Sequence, residues 1–482
     1  MLSSELLGSS LGLIDGRWVG ADDGTTAPVH DRASGELLAR VPVMGGGEAR
    51  RAVEAAGRAM AQTPSLDQRR LWLRAIAQGL IDHREEIGRI ITLEMGKPLK
   101  EARVEAEYGA TFFSYMADHL DALKPHTLEP TIRHCRWTVH HRPAGVAALI
   151  VPWNFPLAMK CKKIAAALGA GCAMVTKPAS LTPLSAIAMH AVAQKAGVPA
   201  GWMNLVIGRS GPIGDVLCSH PLVRIVSFTG STEIGRRLIE ISAPHIKRLS
   251  LELGGNAPFI VFDDANLDAA ADGLIANKFR AGGQTCVCAN RIYVHRDIHD
   301  AFIARLAPRV AALKVGPGIE PTTDIGPLID RDQWDKVAAH VADALARGAK
   351  RVAGHDAPRP RHEWGAFFPP TLLTDIKPDM LVCRDETFGP VLAVQRFARE
   401  DEAIAAANDT IYGLASYVFT ADAARAQRVA AQLSFGHVAI NSGSGPTPEA
   451  PFGGMKQSGF GREGGVDGLL EYTETQTVAA AV

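Results

Sequence analysis

No apolar run in this chain approaches the roughly 20 residues needed to cross a bilayer core; the longest, around AGVAALIV, falls well short. A charge imbalance is absent too. Lys plus Arg and Asp plus Glu stand at 51 each, so no global field steers the protein to nucleic acid or an anionic membrane surface. The first basic residue is Arg17, after acidic Glu5, which argues against a secretory or transit peptide. Cysteine is scarce and unpaired in pattern: Cys135, Cys161, Cys172, Cys218, Cys286, Cys288 and Cys383 are an odd number scattered over a long chain. That pattern suits a reducing compartment, and a cytoplasmic location is expected. No solenoid or propeller repeat is visible, and no low-complexity tail beyond the Ala-rich last residues. Zinc-type spacing is missing as well. No second Cys or His pair with ligand spacing follows the CVC at 286–288, so no metal is expected.

What is present fits a soluble enzyme. Hydrophobic residues make up 47% and charged residues 21% of 482, enough for about three globular units or two large ones. Residues 48 to 120 read as packed amphipathic helices, with apolar positions at three- and four-residue intervals. From Gly145 the rhythm changes. VAALIV, CAMVTK, WMNLVIG and VRIVSFTG alternate with helical runs, the pattern of right-handed βαβ units on a parallel sheet. A second series follows LELGG, with PFIVFDD, a helix through Phe279, RIYVH, VLAVQRF and ASYVFT. This predicts a second α/β domain. TIRHCRWTVHHRPAG reads as an extended arm, and YTETQTVAAAV as another exposed strand; such edges find a partner chain.

The decapeptide GGQTCVCANR, from Gly282 to Arg291, places two sulfurs one residue apart in polar surroundings. A structural pair of small residues is one reading. A Cys286–Cys288 disulfide is strained by its short span but stays open as a reversible oxidative lock. A nucleophile needs a lowered pKa, donors for the oxyanion it creates, and a base for the second half-reaction. The chain offers each. Asn154 in VPWNFP can donate its carboxamide beside the Cys286 N–H, although it also suits a turn between prolines. Glu252 in LELGGNAP ends a strand, as a solvated acid would, with glycines after it that leave room for water. FTGSTEIG sets Gly230 and Ser231 at a strand-to-helix turn, where backbone N–H groups attract phosphate. Its spacing departs from the usual dinucleotide fingerprint. Lys177 in VTKPAS ends the second strand, within reach of a ribose hydroxyl or snorkelling to solvent.

Taken together, VPWNFP, VTKPAS, FTGSTEIG, LELGGNAP, FRAGGQTCVCANR, ETFGP, NDTIYGLAS and PFGGMKQSGFGREGG resemble, in this order, the NAD(P)-dependent aldehyde dehydrogenase superfamily. The likeness covers nearly the whole chain and is strongest to the succinate-semialdehyde branch. It implies an NAD(P)-binding Rossmann-like domain over 1–123 and 143–253, a catalytic domain over 254–454, and an oligomerisation arm from 124–142 and 455–482. By resemblance Cys286 is the nucleophile, Asn154 and the Cys286 N–H hold the oxyanion, and Glu252 is the general base. Pro152, Trp153, Lys177, Ser180, Gly230, Ser231, Glu386 and Phe388 match cofactor-binding positions. Ser180 beside Lys177 can accept a 2′-phosphate that a carboxylate would repel, so NADP is expected with NAD still open.

For substrate, Arg280 occupies the position where the succinate-semialdehyde branch keeps an arginine for the distal carboxylate. Its bland alternative is a helix C-terminal cation. The branch's second arginine is here Lys162, and Thr447 stands near where the branch carries serines. Lysine is a point charge rather than a fork, which weakens the case for a short semialdehyde. Phe155 and Phe452 also suit an aromatic or longer aliphatic aldehyde. A cofactor-independent cysteine hydrolase would need a histidine base, and none of the sixteen histidines falls in these motifs. A non-catalytic protein of the same fold is disfavoured by the intact Cys286, Glu252, Asn154 and Lys177. Transfer of the acyl group to coenzyme A is disfavoured by Glu252. The expected partners are a small aldehyde and further copies of the chain, as a homodimer or homotetramer, with no nucleic acid and no membrane.

Overall fold

The computed structural model describes residues 2–8, 10–129 and 134–481. Residues 130–133, within the expected arm segment 124–142, lie outside the described residues.

Two twisted sheets, each with its own core, make up most of the molecule. The larger has eight strands in the spatial order Gly459–Phe460, Arg248–Glu252, Val223–Thr229, Val146–Ile150, Met174–Lys177, Met203–Leu205, Gly12–Ile14, Arg17–Val19. Its five middle strands run parallel. They are near-continuous apolar runs because helices cover both faces. Val146–Ile150 is the first of the five in sequence, and later strands add to either side of it. At such a reversal the connecting loops diverge at the carboxyl ends of the strands and leave a crevice between Ile150 and Thr229.

The smaller sheet has seven strands: Lys350–Ala353, Thr371–Thr374, Val391–Phe397, Ala289–His295, Ala257–Val261, Ala415–Phe419 and His437–Ile440. The helices expected over 48–120 are Gly46–Ala59, Leu66–Asp82, Arg84–Met95 and Leu99–His119. Ser65 starts the second of these, and its side chain accepts from the Gln68 N–H while Gln68 answers at the Ser65 N–H.

The carboxyl-terminal strand Thr473–Ala481 pairs antiparallel with Cys135–Pro143 along its whole length and forms the edge of a three-stranded ribbon with His126–Leu128. Residues 455–472, expected in the arm, lie elsewhere. Gly459–Phe460 joins the larger sheet beside Leu251 and Glu252, and helix Gly465–Leu470 packs on helix Ala158–Ala170. The physical reason is apolar: Leu469 and Tyr472 are buried in the core of the larger sheet. Among the described residues, no helix is long and apolar enough to cross a membrane.

Candidate active site

A cleft of about 800 Å3 opens at the switch point of the larger sheet. One wall comes from the loops after Ile150 and Thr229, carrying Pro152, Trp153, Asn154, Gly230 and Ser231; the other comes from the smaller sheet, carrying Arg280, Cys286, Glu386 and Phe388.

Helix Leu267–Lys278 is capped at its start by Asn266, whose side chain accepts from the Asp268 and Ala269 N–H groups. It stops one residue before the Phe279 expected from sequence. Beyond it Ala281, Gly282 and Gly283 all have positive φ, at 50°, 64° and 76°, and this left-handed run turns the chain back so that Cys286 meets the cleft. The fit is close on two sides. A Cβ at Gly283 would fall 2.2 Å from the Gly389 carbonyl oxygen, and one at Gly255 would fall 2.1 Å from that of Cys286. Cys286 is half-buried. The lowered pKa expected of a nucleophile is not met here: burial pushes the thiol up to about 12, the Glu386 and Glu252 carboxylates add to the shift, and Lys162 opposes it.

Glu252, the last residue of its strand, is buried with neither carboxylate oxygen in a hydrogen bond. Burial, reinforced by Glu463, raises its pKa to about 8 against the pull of Lys162, Lys163 and Arg462. Burial alone would raise Glu463 too, yet Lys163 and Lys162 hold its carboxyl below the usual range. The lysines and Glu463 form a buried ion cluster, with Lys162 Nζ 3.3 Å from Glu463 Oε2 and Lys163 in direct contact with Oε1.

Asn154 is held from two sides. Its Nδ2 donates to the Gln284 carbonyl at 3.0 Å, and its main-chain carbonyl accepts from Lys97 Nζ at 2.8 Å. Lys97 pairs with Glu105 at 2.6 Å, both side chains buried, and Glu105 in turn accepts from the Leu157 and Ala158 N–H groups. The Lys97 ammonium also sits 3.7 Å above the Phe155 ring.

Along the crevice, Lys177 donates to Ser210 Oγ at 2.8 Å and to the Pro178 carbonyl at 2.9 Å, and burial lowers its pKa to about 8. Ser180 is exposed, its hydroxyl donating to the Gly208 carbonyl at 3.3 Å. Ser231 caps helix Thr232–Ser242 by accepting from the Ile234 N–H. Glu386 accepts from the Gly255 N–H at 3.1 Å, and burial brings its pKa to about 7. Phe388, at φ 55°, meets Trp153 edge-on at 5.5 Å, and Gln333 fixes that turn by donating to the Thr387 and Phe388 carbonyls.

At the other end of the cleft the Arg280 guanidinium lies 5.4 Å from the Phe155 ring centre, with its buried Nε unpartnered. The turn after it is pinned by the Ala281 N–H donating to Glu101 Oε2 at 2.7 Å. Lys162 and Phe452 both line the cleft, the lysine 4.8 Å above the ring, but the lysine's charge is already answered by Glu463. Thr447 is exposed and outside the lining; its loop contributes Ser444, Gly445 and Pro446 instead, with Pro446 held by the Tyr108 hydroxyl. Glu252, Lys177 and Ser180 also stand outside the lining, the first buried and the other two at the next strand end.

The sequence model of the aldehyde dehydrogenase family matches residues 18–478. This chain belongs to the aldehyde dehydrogenase family. It is similar to a glutarate-semialdehyde dehydrogenase of Pseudomonas aeruginosa, 48% identical over 463 residues that cover 96% of this chain and 95% of the relative. The NADP-dependent succinate-semialdehyde dehydrogenase of Escherichia coli is 47% identical over 465 residues, 96% of each chain. A crystal structure of the succinate-semialdehyde dehydrogenase of Burkholderia pseudomallei superposes with a TM-score of 0.97 at 46% identity, covering all of both chains. The protein is thus an oxidoreductase acting on aldehydes, with the aldehyde dehydrogenase fold.

Several residues of this aldehyde dehydrogenase site escaped the sequence reading. Lys97, Glu105, Lys163, Ser210, Gln333 and Glu463 were not singled out, although EMGKP and GREGG display the charges openly. Each matters through a partner distant in sequence, as with Lys163 and Glu463, and no local spacing signals such a pair.

Proposed function

We propose that this aldehyde dehydrogenase converts a short aldehyde bearing a remote carboxylate into the dicarboxylic acid, by covalent catalysis at Cys286. The observation that carries the reading is Arg280: among the described residues it forms no salt bridge, yet it lines the same cleft as Cys286. A planar cation free of any salt bridge, in the same cleft as the nucleophile, suits bidentate recognition of a distal carboxylate. The relatives named for glutarate and succinate semialdehydes act on aldehydes of that description.

The Cys286 sulfur attacks the carbonyl carbon as its proton passes to Glu252, a carboxylate whose charge acts on the thiol and which returns the proton to solvent before deacylation. The new oxyanion is met by the Cys286 N–H and by Asn154, one of whose Nδ2 hydrogens is committed to Gln284, which fixes the carboxamide and leaves the other free. Deacylation falls to Glu252, a buried carboxylate basic enough at about 8 to take a proton from water attacking the thioester.

The family's cofactor is NAD or NADP. The crevice fits one: a serine-capped helix start for the pyrophosphate, Lys177 with Ser210 for the adenosine ribose, and Glu386 with Phe388 toward the nicotinamide end. When bound, the dinucleotide supplies the hydride acceptor. Ser180 offers a hydroxyl beside a cation, so NADP is accepted as well as NAD. Ser180→Glu is expected to raise KM for NADP at least tenfold and leave that for NAD within a few-fold.

An aldehyde panel with each dinucleotide, followed by absorbance of the reduced form, tests the reading. Arg280→Ala is expected to raise KM for carboxylated aldehydes by about ten- to a hundredfold, the value of a lost charged hydrogen bond, with little effect on uncharged ones. Equal effects would remove the carboxylate. The Lys162–Glu463 pairing favours the second reading, an aromatic or longer aliphatic aldehyde against Phe155 and Phe452. The open nine-residue edge of Thr473–Ala481 suits strand addition by a second copy, so the chain works as a homo-oligomer; a monomer by light scattering would refute this.

A further inference from the structure

Lys278 ends helix Leu267–Lys278 and is fully buried, and its Nζ lies 3.6 Å from Cys288 Sγ, its one hydrogen-bond partner among the described residues. The Cys288 thiol donates to the Gly283 carbonyl at 3.3 Å, which turns its lone pairs to the lysine. Cys288 is buried too, one residue beyond Val287, which lines the cleft. Among the described residues Lys278 forms no salt bridge, and Glu386 is a carboxylate that feels its charge. Nitrogen and sulfur are thus left in direct contact, with no other side chain between them. Both side chains are buried, which favours a small oxidant such as dioxygen over a bulky thiol or disulfide.

We propose that Lys278 and Cys288 are an oxidative modification site that closes as a nitrogen–oxygen–sulfur bridge, with dioxygen as oxidant. One N–H and the S–H bond break, an N–O and an O–S bond form, and the second oxygen atom leaves as water with the two hydrogens. Nitrogen and sulfur each give up two electrons, which together reduce both oxygen atoms. The bridge ties the end of the helix to the start of strand Ala289–His295 and closes a loop that contains Arg280, the left-handed turn and Cys286. Turnover falls when it forms and returns with a dithiol reductant.

The purified full-length enzyme is held in aerated buffer or, in parallel, without oxygen in dithiothreitol, then measured by intact mass and by tryptic mapping. The expected product is one oxygen heavier and two hydrogens lighter, resists cleavage after Lys278, joins the peptides bearing Lys278 and Cys288, and reverts with dithiothreitol. Both Cys288→Ser and Lys278→Met lose it; if the lysine variant fails to fold, the serine variant with wild-type mapping decides. Loss of two hydrogens without added oxygen would be a Cys286–Cys288 disulfide, and added oxygen without a crosslink a sulfenic acid. Either result, or an unchanged mass, overturns the assignment.

Discussion

Glu252, the proposed base, meets two opposed demands: it must be ionised to act, and its surroundings resist ionisation. The active form is the carboxylate, so turnover limited by deacylation is expected to rise with pH through about 8, read from kcat against pH. Glu252→Gln abolishes that step, and mass spectrometry should then show acyl-enzyme accumulating on Cys286. The same shift has a cost in stability. A carboxyl whose folded pKa lies above its unfolded value binds its proton more tightly when folded, so its contribution is present at low pH and is lost as pH rises from about 4.5 towards 8. Glu252→Gln is therefore expected to melt higher than wild type at pH 8 and to lose most of that advantage at pH 5, read as the difference in Tm at the two pH values. Lys97 is a positioning residue of another kind. Lys97→Met strands the Glu105 carboxylate and should cost about 3–5 kcal/mol, whereas adding Glu105→Gln restores much of the stability but not kcat. At this scale Cys286, Asn154 and Glu252 stood out in the sequence as candidates because each sits in a recognisable motif, and the structure brings Cys286 and Asn154 to one cleft with Glu252 buried outside its lining. Lys97 and Glu463 were hidden because their meaning is a partner 8 and 300 residues away.

Among elements, the short strand Gly459–Phe460 has influence beyond its length. It pairs with Leu251 and Glu252, the Ser458 carbonyl accepts from the Leu253 N–H, and Ser458 Oγ donates to the Gly254 carbonyl. Gly459 has φ 111°, and a Cβ there would fall 1.9 Å from the Leu251 carbonyl oxygen. Gly459→Ala is expected to detach the strand, cut kcat by at least tenfold by releasing Glu252, and leave the binding of the dinucleotide, followed by fluorescence, nearly unchanged. The parallel strands were legible as uniform apolar runs, since both of their faces are covered. Gly459–Phe460, Lys350–Ala353 and Thr371–Thr374 carried no comparable pattern. Strands this short are fixed by the sheet edge they join rather than by their own residues.

Across the whole molecule, the two sheets are fastened where the turn after helix Arg84–Met95 meets the smaller sheet's outer loop. The Leu99 N–H donates to the Gly318 carbonyl, and Gly326 approaches so near that a Cβ would lie 1.9 Å from the Gly96 carbonyl oxygen. Arg32, buried, donates to the Glu94, Ile329 and Leu181 carbonyls, joining three segments at once. Gly326→Ala should therefore lower Tm by several degrees and split a single calorimetric transition into two. The two α/β series could be read from the alternating pattern, but not the return of residues 455–472 to the larger sheet, because that return rests on Leu469 and Tyr472 meeting a core built from distant sequence.

That return orders events during synthesis. The chain leaves the first body, builds the second, and comes back with Gly459–Phe460 and Glu463 near its end. A nascent polypeptide still on the ribosome, with those residues in the exit tunnel, has its sulfur but lacks the strand and the counter-ions that brace its base. Such a chain is expected to lack turnover until Gly459–Phe460 and Glu463 have emerged and docked.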